Sequence, residues 1–88
     1  MEVALTDTAR GKTGRLLSEE EIRERVKTLK GRLYKVDGKN VFHLVFFSDR
    51  LDSWMNIIFS PKKEKRVVIS QMHDHGRNDP ELEEVGRL

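Results

Sequence analysis

The residues best equipped for chemistry in this 88-residue chain lie close together near its carboxyl end, in the run His73-Asp74-His75-Gly76-Arg77-Asn78-Asp79. Two histidines one residue apart at a strand end point the same way. Neutral imidazole is a common metal ligand, so His73 and His75, with Asp79 or His43 as a third donor, make a candidate metal or acid–base site. Zinc sites use three or four spaced ligands, whereas only two are certain here, and the same run also reads as a polar connection between a strand and a helix. His43 stands alone in an apolar stretch, where a half-buried packed imidazole competes with a general base. Gly11-Lys12-Thr13 resembles the end of a phosphate-binding loop, but the first glycine of that motif would fall at Thr6. The chain has no cysteine, which excludes disulfides, thiolate zinc and thiol nucleophiles. No serine lies in a nucleophile elbow. The carboxylates gather on one helix face and in the tail Asp79, Glu81, Glu83, Glu84, rather than in the low-dielectric surroundings that catalytic carboxylates need. Catalysis therefore ranks below binding, and no cofactor is expected.

Basic side chains form two groups. Arg10, Lys12 and Arg15 lie near the amino end, and Lys62, Lys63, Lys65 and Arg66 cluster later. With Tyr34 and Trp54 as stacking platforms, these suit contacts to a nucleic-acid backbone. Lysines in a hairpin loop also serve simply to blunt a sheet edge. Seventeen bases against fifteen acids give a net charge of only +2, unlike a dedicated nucleic-acid binder.

The elements that would position these groups follow from periodicity. Residues 1–16 lack a sustained period beyond a short strand at Val3 to Leu5, and are expected to be a flexible basic arm. Ser18 and Glu21 then have the spacing of a capping box, with Leu17 placed to staple onto Ile22. Ile22, Val26 and Leu29 form an apolar helical stripe, and Gly31 is expected to stop the helix in the left-handed conformation. Past Gly31 the period becomes two. Arg32–Val36 and Val41–Phe47 flank Asp37-Gly38, which predicts a hairpin with a primed turn. In the second strand His43, Val45 and Phe47 point one way with Val41, and Phe42, Leu44 and Phe46 the other. Both faces are apolar, yet one convincing helix covers only one of them. Residues 49–60 read as a strand over Trp54 to Phe59, with a helix capped by Asp49 as the alternative. Arg66–Met72 is a final strand, and Asp79-Pro80 opens a short helix carrying Leu82 and Val85.

Two resemblances follow from these motifs. Leu17 to Ile22, the Asp37-Gly38 turn before an aromatic strand, Trp54-Met55-Asn56-Ile57 and the His73-Asp74 ending occur in the same order as in pterin-4a-carbinolamine dehydratases. In that family a helix and a His-His-Pro segment precede the tryptophan. Here Leu51, Asp52 and Ser53 stand in that place and about twenty residues are missing. Only His73 carries over, so the resemblance does not extend to the dehydration activity. Asp52, Met55, Asn56 and Ile57 also resemble the third-strand motif of Sm-like proteins, ring-forming RNA binders in which a helix precedes a bent antiparallel sheet. The glycine of the preceding strand and the second motif of that family are absent.

The expected architecture is α+β: one N-terminal helix packed on a four-stranded antiparallel sheet, with a short C-terminal helix, in a single domain over residues 17–88. A helical 49–60 would give αββαβα instead. The expected function is non-catalytic: an interaction or regulatory protein that binds a protein partner or a second copy of itself through an apolar sheet face, with Phe42, Leu44, Phe46, Trp54 and Met55 as anchors. Nucleic-acid binding and a small enzyme or metal site at His73 and His75 are the alternatives. No apolar run approaches the roughly 18 residues of a membrane span, so a cytoplasmic location is expected.

Overall fold

A computed structural model describes residues 1–74 and 81–88. The sheet is larger than expected. Six strands form one mixed sheet: β1 (Glu2–Leu5), β2 (Arg32–Val36), β3 (Phe42–Ser48), β4 (Ser53–Pro61), β5 (Lys65–His73) and β6 (Leu82–Val85), in the spatial order β1-β5-β4-β3-β2-β6. β1 runs parallel to β5, and all other neighbours are antiparallel. Two short helices, α1 (Asp7–Arg10) and α2 (Glu19–Thr28), lie between β1 and β2. The four-stranded antiparallel sheet with a single N-terminal helix is thus corrected at both ends of the chain.

At the amino end, the segment expected to be an arm supplies β1 and α1 and buries Val3, Leu5 and Ala9 in the core. Thr6 fastens this junction to β5: its amide donates to the Val68 carbonyl at 3.0 Å and its hydroxyl to the Ile69 carbonyl at 2.7 Å. At the carboxyl end Leu82 and Val85, spaced as on a helix, belong to a strand. Leu82 pairs with Val36 and Val85 with Leu33, so they face opposite sides of the sheet and Val85 reaches the core. The Asp79-Pro80 cap lies outside the described residues.

α2 starts as its residue types require. The Ser18 hydroxyl accepts from the Glu21 amide at 3.2 Å, and the Glu21 carboxylate accepts from the Ser18 amide at 2.9 Å. Arg50, in the β3–β4 turn, donates to the same carboxylate at 2.6 Å and to the Leu16 carbonyl at 2.8 Å, tying the helix start to the sheet. The helix stops earlier than Gly31. Leu29 is the left-handed cap, with φ 54°, and donates its amide to the Arg25 carbonyl at 2.8 Å. Gly31 serves a different purpose: at φ 146° it passes so close to β3 that a Cβ there would sit 2.8 Å from the Val45 carbonyl oxygen. The hairpin turn also departs from the primed type. Gly38 has φ 72°, but Asp37 is not among the residues with positive φ, and the Lys39 amide closes onto the Val36 carbonyl at 3.2 Å, which is the pattern of a type II turn.

The core lies between the helices and one face of the sheet. Leu33, Phe42, Leu44, Phe46, Met55, Ile57, Phe59 and Val68 point to that side and meet Leu17, Ile22 and Val26. Phe42 stacks on Phe59 with ring centroids 5.8 Å apart, and the Arg25 guanidinium lies 4.1 Å from the centre of the Phe46 ring. Among them sits one fully buried polar side chain, Gln71. Its Oε1 accepts from the Leu17 amide at 2.9 Å and its Nε2 donates to the Leu17 carbonyl at 3.0 Å. The side-chain amide acts like one more rung of backbone pairing, between β5 and the segment that enters α2.

Gln71→Leu keeps the volume but leaves both Leu17 groups buried without partners, so it lowers the free energy of unfolding by roughly 2–4 kcal/mol, read from urea titration. The hydrogen bond from Arg50, chiefly, and those from Ser18 hold the Glu21 carboxyl below the ordinary glutamate value of 4.5. A lowered folded-state value means that this stabilisation is complete above pH 4.5 and is lost as the pH falls below it. In Glu21→Gln, stability therefore declines less between neutral pH and the acid limb than in the parent, as followed by thermal unfolding against pH.

Candidate functional site

Strand alternation sorts the expected anchor residues between two faces. Phe42, Leu44, Phe46 and Met55 are 5% exposed or less, all on the helix-covered side, so these four belong to the chain's own core. A partner cannot touch them in the folded state. Trp54 lies on the other side, where it is 48% exposed beside Phe47 at 40%. The two are register partners on β4 and β3, and their rings meet edge to face with centroids 5.7 Å apart. Alternation along β3 puts Phe47 on the face opposite Phe42, Leu44 and Phe46, so the spacing-two pattern itself contained this surface.

No described helix covers the face that bears this pair. Its side-chain rows follow from the register: Phe47 beside Trp54, then Arg32, Val45, Asn56 and Met72, then Tyr34, His43, Ile58 and Ser70. A β-bulge at Ile58/Phe59 leaves Ile69 as the extra residue, 37% exposed. Val45 and Asn56 in the middle are buried, so the accessible apolar surface is concentrated at the Phe47–Trp54 end. Asn56 Nδ2 lies 3.1 Å from His43 Nδ1, while Asn56 Oδ1 is buried without a hydrogen-bond partner.

The cations proposed for nucleic acid are divided by the fold. Arg10 lies 3.5 Å from Glu19, and Arg66 donates to the Val26 carbonyl at 2.5 Å and to the Lys27 carbonyl at 3.3 Å, capping the end of α2. Lys62, Lys63 and Lys65 line an open depression with Met1, Glu2 and Glu64 at the start of β5. Lys12 and Arg15 line a different one, of about 470 Å³, with Leu16, Gln71, Met72 and His73 at the end of β5. From Lys65 to Gln71 the strand advances roughly 20 Å, so the two basic groups do not merge into one track. Tyr34, on β2, is separated from β5 by two strands, β4 and β3.

His73 Nδ1 lies 2.9 Å from the Ser53 hydroxyl. His75 lies outside the described residues. Among the described residues no group of three or more histidine, cysteine, aspartate or glutamate side chains is arranged to hold a metal ion. No helix among them is long and apolar enough to cross a membrane. The Sm-like motif is also dispersed: Asp52 is a turn residue with φ 49°, Met55 is core and Asn56 faces the other way. Comparison with models of known protein families, with curated proteins and with solved structures finds no match to this chain.

Neighbouring residues on opposite faces give a direct check. Met55→Ala removes a fully buried side chain and lowers unfolding free energy by about 2–5 kcal/mol, whereas Trp54→Ala loses mainly an exposed ring pair, about 0.5–1.5 kcal/mol, in the same denaturant titration.

Proposed function

We propose that this chain is a non-catalytic interaction module that docks a second copy of itself through the Phe47–Trp54 end of its uncovered sheet face. The observation that carries the reading is the exposure of these two aromatic rings, in edge-to-face contact side by side on a sheet, in a chain that is 36% charged. Aromatic residues, methionine and arginine are the groups enriched at protein interfaces, and Met72 and Arg32 occupy the adjacent row. Exposed clusters of this kind on small domains mark contact surfaces.

Charge placement favours a second copy over an unrelated partner. Arg32 on β2 and Asp74 at the end of β5 flank the aromatic pair, each one strand out from the β3–β4 seam. Arg32 is in the Val45 row, while the Asp74 amide bonds the Trp54 carbonyl at 2.9 Å, so the two differ by one row, about 7 Å along the strands. A two-fold axis parallel to the strands above that seam exchanges the sides. It brings Arg32 of each copy toward Asp74 of the other, within reach of the long arginine side chain. The Arg32–Glu84 ion pair, at 3.3 Å and more than half exposed on both sides, is weak enough to be exchanged.

Sedimentation velocity over a wide concentration range tests this, with the single tryptophan as a second probe. Association shows as a rising sedimentation coefficient together with a blue shift of Trp54 emission. Trp54→Ala and Phe47→Ala abolish the association. Arg32→Glu weakens it, and adding Asp74→Arg restores it. A monomer at every concentration overturns the proposal.

A further inference from the structure

The depression at the end of β5 has a composition that the docking surface does not explain. It is lined by Lys12, Arg15, Leu16, the buried Gln71, Met72 and His73, with no carboxylate among the described lining residues. The comparable hollow at the start of β5 has Glu2 and Glu64 among its lysines, so its charge is partly cancelled.

Elsewhere the arginines of this chain have acceptors. Arg10 and Arg23 lie against Glu19, Arg32 against Glu84, and Arg50 against Glu21. Arg25 donates to the Lys30 carbonyl and Arg66 to the end of α2. Among the described arginines, Arg15 and the near-terminal Arg87 are the two without such a partner. Arg15 projects from a turn whose backbone is already closed, its own amide bonding the Lys12 carbonyl at 3.1 Å. The other two cation-forming groups are held in place. Lys12 Nζ donates to the Ser70 hydroxyl at 3.0 Å and to the Gln71 carbonyl at 3.1 Å. His73 Nδ1 is engaged by Ser53, which leaves Nε2 as its outward nitrogen. An ammonium with a remaining N–H, a forked guanidinium and an imidazole around one concavity are the donor set that a tetrahedral oxyanion takes. Pre-positioning two of the three reduces the ordering that binding must impose.

We infer that Lys12, Arg15 and His73 form a binding site for a phosphate group, carried by a small ligand or by a nucleic-acid backbone. The inference is independent of self-association, because these residues lie at the helix-side end of β5 and not in the Phe47–Trp54 surface.

The test is a titration of the full chain with inorganic phosphate, followed by amide and histidine ring resonances. Saturable shifts confined to residues 12–16 and 71–73 are expected. Arg15→Glu weakens them roughly tenfold or more, as loss of a charge-assisted hydrogen bond does. His73→Gln weakens them less, and Lys63→Glu, in the other hollow, leaves them unchanged. A parallel titration with single-stranded DNA identifies the source. Tighter binding than phosphate, steeply weakened by salt and by Arg15→Glu, assigns the site to a nucleic-acid backbone. Binding no tighter than phosphate assigns it to a small ligand. Non-saturable shifts, shifts centred on residues 62–65, or equal affinity in Arg15→Glu overturn the inference. Lys12 is left intact in these variants because its ammonium also ties the turn to β5.

Discussion

Gln71 and Leu17 are joined through two hydrogen bonds inside the core, and most of the architecture depends on that pairing. A backbone segment entering a helix carries polar groups that a buried environment does not tolerate unpaired. Here the chain passes from the α1 turn into α2 directly beneath β5, and the Gln71 amide supplies both an acceptor and a donor to it. With Leu17 fixed, Ser18 is held at the cap position and the α2 stripe of Ile22 and Val26 lands on Ile57, Phe59 and Val68. The same turn brings Lys12 across to Ser70 and Gln71.

The sheet then works as a two-sided object with unequal sides. Its helix-covered side has the large fully buried residues and sets stability. The other side keeps period-two apolar residues but shows a gradient, from buried Val45 and Asn56 to exposed Phe47 and Trp54. Edge strands are short, four residues each, and the outer edge of β1 is occupied where Arg23 donates to the Val3 carbonyl. Such edges discourage strand addition.

Charge is spent locally. Glutamates at the start of α2 take arginines from α1, from the helix itself and from the β3–β4 turn, which secures three pieces of chain around one helix end. The near balance of charge therefore hides a separation. Among the described residues ion pairs concentrate at the amino end of α2, while Lys12 and Arg15 at one end of β5 and Lys62, Lys63 and Lys65 at the other stand outside them.

Local signals were legible in the residues because their causes are local. Ser18 and Glu21 announced the helix start, alternation announced β3 and β5, and Gly38 marked a turn. Even there, Leu29 rather than Gly31 took the left-handed cap, since Gly31 was needed where β2 leaves α2 against the Val45 carbonyl. The short strand at Val3 to Leu5 was legible, but its place in the sheet was not, and neither was β6. Each has four residues, too few for a period, and each is stabilised by partners far away in sequence, β5 for one and β2 for the other. For the candidate surface, the sequence determined that residues 41–47 carry apolar groups on both faces. Which face became core was decided only when α2 packed across the sheet, because alternation is symmetric and a helix can cover either side. Likewise the sequence alone determined that Lys12, Arg15 and His73 are basic, but only the pairing of β5 with the α1–α2 segment brought residues 58 to 61 positions apart into one hollow.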